Sequence, residues 1–156
     1  MPRLLDLFCG AGGATRGYQF AGFHVTGIDN KPQPRYCGDA FYQADALDYL
    51  AAHGHEFDVI HASPPCQAFS DMRHAPAAKD GHPRLIAPVR DALRRLSRPY
   101  VIENVEGAPL IDPVMLCGSQ FGLGVAGFQL RRHRLFESTI PLHPRACCHD
   151  GPVIGV

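Results

Sequence analysis

Two side chains in this sequence have types and settings suited to covalent chemistry. Cys66 lies in Ser63-Pro-Pro-Cys-Gln67, directly after the apolar run Phe57-Asp-Val-Ile-His61. Proline cannot continue a central ladder, so this stiff turn holds a thiol at a strand end, whereas most free cysteines pack in the core as small hydrophobes. Nucleophilic attack requires the thiolate, and hence electropositive or helix-N-terminal surroundings. Glu103 ends the apolar run Tyr100-Val-Ile and precedes Asn104-Val105, which puts a carboxylate where strands deliver site residues. A carboxyl group whose pKa is raised at such an edge can stay protonated and serve as an acid. A third signal is Phe8-Cys-Gly-Ala-Gly-Gly13 with Asp29 ending the next strand, the pattern of a nucleotide cradle. Its spacing is not G-x-G-x-x-G, which disfavours a pyrophosphate ligand, and the glycines alone read equally well as a tight turn.

Alternating strands and helices position these groups. Arg3–Phe8 reads as a buried strand, followed by a helix on which Ala14, Tyr18 and Ala21 recur and which ends near Gly22. Phe23–Ile28 is a second strand, Phe41–Gln43 a third, and Leu47, Leu50 and Ala51 mark a helix. Phe57–His61 is a fourth strand, and residues 71–83 show no period and read as a loop. The next helix carries Leu85, Ile86, Val89, Leu93 and Leu96 on one face. Arg90, Arg94 and Arg95 fall on the other, which with Arg98 reads as a solvated face, and Asp91 and Arg95 form an i,i+4 pair. Tyr100–Glu103 is a fifth strand and Arg134–Glu137 a sixth. The pattern predicts an α/β fold with a mainly parallel sheet and helices on both faces. Ligands of such sheets sit at the carboxyl ends of the strands, and Gly10–Gly13, Asp29, Asp45, Cys66 and Glu103 all fall there.

The 156 residues suit one domain, with 46% hydrophobic and 19% charged residues, which excludes a disordered chain. Lys+Arg 15 against Asp+Glu 15 leaves no overall basic field. The halves differ mildly, with residues 1–70 at −3 and 71–156 at +3, so a polyanion would meet the second half. No signal peptide or membrane span is evident, and the six scattered cysteines read as reduced intracellular thiols, so a cytoplasmic protein is expected. The segment His143-Pro-Arg-Ala-Cys147-Cys148-His149 carries metal-ligand types, but adjacent cysteines suit a tetrahedral site poorly. We expect no metal and a solvent-exposed tail there. Of the scattered histidines, only His61 and His74 flank the Cys66 turn.

Asp6-Leu-Phe-Cys-Gly-Ala-Gly-Gly13, Ser63-Pro-Pro-Cys-Gln-Ala-Phe-Ser70, Glu103-Asn-Val105 and Arg132-His-Arg134 together resemble the ordered motifs of the S-adenosylmethionine-dependent cytosine-C5 DNA methyltransferases. The resemblance covers about residues 3–137. It implies a Rossmann-like class I methyltransferase domain over 1–137, leaving 138–156 as an irregular tail. By the same resemblance, Cys66 is the nucleophile toward cytosine C6 and Glu103 the partner of N3. Arg132 and Arg134 match the family's arginine pair at the base O2. Phe8, Gly10, Ala11, Gly12 and Gly13 would line the methionine side of S-adenosylmethionine, Asp29 with Asn30 the ribose, and Asp45 with Ala46 the adenine. Pro65 would form the wall between cofactor and base, and the loop 71–83 would close over a cytosine extruded from DNA.

The chain departs from the family pattern in three ways. Leu130 stands where a glutamine precedes the first arginine, with Gln129 one place earlier, and Asp29 replaces the commoner glutamate. The length leaves no room for a target-recognition domain or a final cofactor-pocket motif, so little sequence discrimination is expected. The catalytic residues would serve RNA equally. A cofactor-binding module, or a half-enzyme completed by a second chain, are the other readings, and restriction–modification is one natural setting.

Overall fold

The computed structural model describes residues 1–65 and 84–155. A seven-stranded sheet has the order β3-β2-β1-β4-β5-β9-β6. Its strands are β1 (Arg3–Leu7), β2 (His24–Asp29), β3 (Ala40–Gln43), β4 (Val59–Ala62), β5 (Tyr100–Asn104), β6 (Val114–Cys117) and β9 (His133–Ser138). β3, β2, β1, β4 and β5 run parallel, and β9 is antiparallel to both β5 and β6. The chain order reverses between β1 and β4, the position where open α/β sheets form their ligand crevice.

Period-two alternation divides the two faces. Leu5, Leu7, Ile28, Ile60, Ala62 and Ile102 form one apolar layer with Ala46 and Leu50 of α2 (Ala46–His53) and Val89 and Leu93 of α3 (Ile86–Leu96). Fully burying such side chains contributes about 1.5–3 kcal/mol each. The opposite face carries Asp6, Gly27 and His61 in register, covered by α1 (Gly13–Phe20) and Tyr36. A Cβ on Gly27 would lie 2.4 Å from the Tyr36 ring, so glycine is what lets the ring rest on the sheet. Helices therefore cover both faces, as the alternation predicts. None of the helices among the described residues is long and apolar enough to cross a membrane.

Several local expectations need correction. The buried residue of α1 is Thr15, which donates to Asp6, while Ala21 is exposed. Polar Asp6 on β1 recruits the hydroxyl and Tyr18 packs half-buried against His61, so of the three residues at helical spacing Ala21 is the one left outside the packing. Arg90 is buried, not solvated. Its guanidinium forks onto Glu137 of β9, with Nε 2.8 Å from Oε1 and a terminal nitrogen 2.7 Å from Oε2, and also donates to the Pro109 carbonyl.

The second half contains strands that the sequence pattern does not announce. β7 (Gly124–Val125) and β8 (Phe128–Arg131) form a hairpin, and β10 (Val153–Gly155) adds to β8 in parallel. The hairpin loop places Ala126 at φ 50° and Gly127 at φ 81°, the two positive φ values that a tight two-residue turn requires. Residues 138–156 are thus not wholly irregular: β10 pairs with the small sheet, and Cys147 and His149 are half-buried.

Candidate active site

A cavity of about 460 Å³ opens at the carboxyl rim of the sheet. Phe8 follows β1, Asp29 ends β2 and Asn30 follows it, Asp45 caps α2 and Ala46 begins it, and Pro65 follows β4; all line it. Glu103 of β5, Arg132 and Arg134 line the same space. Nine residues singled out in the sequence therefore converge here, from segments as far apart as residues 8 and 134.

The geometry on the β1–β2 side of the cavity is set by backbone constraints. Phe8 has φ 60°, an uncommon conformation for a bulky residue and one that concentrates at ligand clamps. Gly10 donates its N–H to Asp29 Oδ2 at 3.0 Å, and Lys31 donates to Oδ1 at 3.0 Å, so both carboxylate oxygens are fixed in direction. Each oxygen retains a second lone pair for an incoming hydroxyl. Gly12 sits at φ 92° before α1, and a Cβ there would come within 2.8 Å of Cys37 Sγ. Gly10, Ala11, Gly12 and Gly13 are absent from the cavity lining; within the described structure they aim Asp29 and start α1. Asp45 caps α2, its Oδ1 accepting the N–H groups of Leu47 at 2.8 Å and Asp48 at 3.1 Å.

The geometry on the β5–β9 side of the cavity follows from strand register. Glu103 pairs with Phe136 across the antiparallel β5–β9 ladder, which puts Arg134 on the diagonal of the same face. Arg134 Nε lies 3.1 Å from Glu103 Oε1, and both side chains are about one-quarter exposed. An ion-paired carboxylate with guanidinium donors beside it offers an acceptor and donors to one planar ring. Asn104, to which the sequence reading gave no role, is buried and donates Nδ2 to the Pro64 carbonyl at 2.9 Å. It ties the end of β5 to the Pro64-Pro65 turn. The signal that could have found it is a second polar residue at a strand end inside Glu103-Asn-Val105.

Cys66, His74 and the expected loop 71–83 lie outside the described residues. The adjoining Pro65 lines the cavity. His61 is a core imidazole: Tyr18 Oη lies 3.0 Å from Nδ1, and Nε2 lies 2.8 Å from Ser63 Oγ, a cavity-lining residue. Burial pushes its pKa down to about 4 despite the opposing charge of Glu103, so it is neutral at physiological pH. Burial also raises the Asp6 carboxyl to about 6, against the lowering effect of its hydrogen bonds from Thr15. Both groups brace the sheet beneath the rim.

The family model for C-5 cytosine-specific DNA methylase matches residues 2–110. Type II methyltransferase M.AplI of Arthrospira platensis is 33% identical over 119 residues, covering 67% of this chain and 31% of that protein. The chain thus spans about a third of the length of the curated relative it matches. Among solved structures, Dnmt2 methyltransferase of S. pombe superposes with TM-score 0.60 at 19% identity, covering 86% of this chain and 48% of the other. Spodoptera frugiperda DNMT2 superposes with TM-score 0.59 at 18% identity, covering 100% and 55%. These likenesses show a shared Rossmann-like methyltransferase fold. With the family model spanning most of the sheet and its rim, the chain belongs to the C-5 cytosine-specific DNA methylase family.

Proposed function

We propose that this chain methylates cytosine C5 in DNA through a covalent bond between Cys66 and C6 of an extruded base. The observation that carries the reading is the convergence of Asp29, Pro65, Glu103 and Arg134 on one cavity, next in sequence to Cys66. S-adenosylmethionine is the cofactor of the family, and the rim suits it: Asp29 is an aimed acceptor for ribose hydroxyls, and Phe8 and Asp45 flank the same space. When bound, it supplies an electrophilic methyl group on a sulfonium.

The chain's own residues supply the rest. Cytosine C5 is a weak nucleophile, and thiolate addition at C6 makes it carbanion-like, replacing one difficult step by easier ones. Glu103, in its protonated form, donates to N3 as negative charge develops on the ring, and Arg134, with Arg132, provides donors for O2. Once C5 carries the methyl group, loss of its proton expels the Cys66 thiolate from C6. The base must leave the duplex stack, since both faces of the ring are otherwise covered.

The test supplies methyl-labelled S-adenosylmethionine to the chain with unmethylated duplex DNA or matched RNA, and digests the product to nucleosides. Label in 5-methylcytosine from DNA is expected. Label from RNA alone overturns the substrate, and cofactor binding without label on either overturns activity of the chain by itself.

A further inference from the structure

A second cluster of chemically capable side chains lies apart from the rim and has no part in methyl transfer. Cys117 ends β6 and pairs across the ladder with His133 of β9, while Cys147 and His149 arrive from the C-terminal segment. One ligand atom from each of the four lies within 4.8 Å of all the others. His149 Nε2 is 3.3 Å from both Cys117 Sγ and Cys147 Sγ, and His133 Nε2 is 3.5 Å from Cys147 Sγ. With zinc–sulfur and zinc–nitrogen bonds near 2.3 and 2.0–2.1 Å, a tetrahedral site has edges of about 3.3–3.8 Å.

The surroundings are organised for the same end. Glu106 Oε2 lies 3.2 Å from His133 Nδ1. A carboxylate can only accept there, so Nδ1 carries the proton and Nε2 turns its lone pair to the cluster, as in carboxylate–histidine–zinc arrangements. Gln120 Nε2 donates to the Arg145 carbonyl at 2.6 Å, holding the incoming segment beside the cluster. Cys148, between two members of the cluster, is exposed and donates to Asp150 instead. That resolves the objection raised by adjacent cysteines: only one of the pair is used, and the other thiol comes from β6.

We propose that Cys117, His133, Cys147 and His149 bind one zinc-type divalent ion that fastens the C-terminal segment to the β6–β9 pair. Both thiols bind as thiolates, releasing two protons to solvent, and both imidazoles bind neutral, so the loaded centre carries no net charge. Four protein ligands close the tetrahedron, which makes the site structural, with no position left for a substrate. His133 opens β9 between Arg132 and Arg134, so the clamp braces the start of the strand that presents Arg134 from its other face.

The full chain, purified without chelator, is expected to carry one equivalent of zinc. Replacement by cobalt should give the visible d–d bands of a tetrahedral ion together with thiolate-to-cobalt charge transfer. Cys147→Ser and His149→Ala should each weaken binding by more than tenfold while far-UV circular dichroism stays unchanged, and Cys148→Ser should bind as the parent does. Failure of the reduced chain to take up either metal overturns the proposal. So does unchanged binding in Cys147→Ser, or a Cys117–Cys147 disulfide in the protein as isolated.

Discussion

Glu103→Gln is expected to slow single-turnover methyl transfer to cytosine by about 10²–10⁴-fold, the range typical of a positioned acid–base group. The glutamine keeps the shape of the side chain and one acceptor oxygen for Arg134, so the β5–β9 rim stays assembled. It has no acid proton to give to N3, and that proton matters only as charge develops on the ring. S-adenosylmethionine affinity should change little, because Asp29 and Asp45 stand on β2 and α2, on the other side of the cavity from β5. A loss of cofactor binding equal to the loss of rate would instead mark Glu103 as a structural residue. A rate within tenfold of the parent would remove it from the proposed chemistry.

The second large effect concerns stability. Arg90→Ala is expected to cost about 3–5 kcal/mol, the range for breaking a buried ion pair by removing one partner. The Arg90 and Glu137 side chains are only 9% and 6% exposed, so the stranded carboxylate has little access to water. Glu137 also accepts from Tyr100 Oη at 3.3 Å and the Ile111 N–H at 3.0 Å, so the network joins α3, β5, β9 and the segment before β6. Hydrogen bonds from Arg90 and Ile111 hold the Glu137 carboxyl below its usual range, against the upward push of burial. The double variant Arg90→Met/Glu137→Leu should recover part of the loss, because both charges then leave together while Tyr100 Oη and the Ile111 N–H lose their acceptor. Urea denaturation of the three proteins measures this, and a single variant within 1 kcal/mol of the parent would mean that water reaches the carboxylate.

Most of the rim was legible because each of its residues interrupts an apolar strand or sits beside glycine or proline. Asp29, Pro65 and Glu103 are conspicuous for that reason, and parallel-strand topology fixes which end of the sheet they share. What escaped depends on partners remote in sequence. The helical pattern puts Arg90 on a polar face, and only Glu137, 47 residues later, explains its burial. The C-terminal thiols and imidazoles make geometric sense only with Cys117 and His133, which a strand ladder places side by side. β7 and β8 are short and leave Val125 and Phe128 exposed, so they lack the alternation that marks a half-buried strand.

The bond between Cys66 and C6 is open to direct trapping. In DNA containing 5-fluorocytosine, fluorine replaces the C5 proton whose loss releases the enzyme, so the adduct formed after methyl transfer cannot collapse. With S-adenosylmethionine present, a denaturing gel should show a DNA–protein band that disappears in Cys66→Ser. A band that survives that substitution, or no band from a chain that binds the cofactor, would rule out the Cys66–C6 bond.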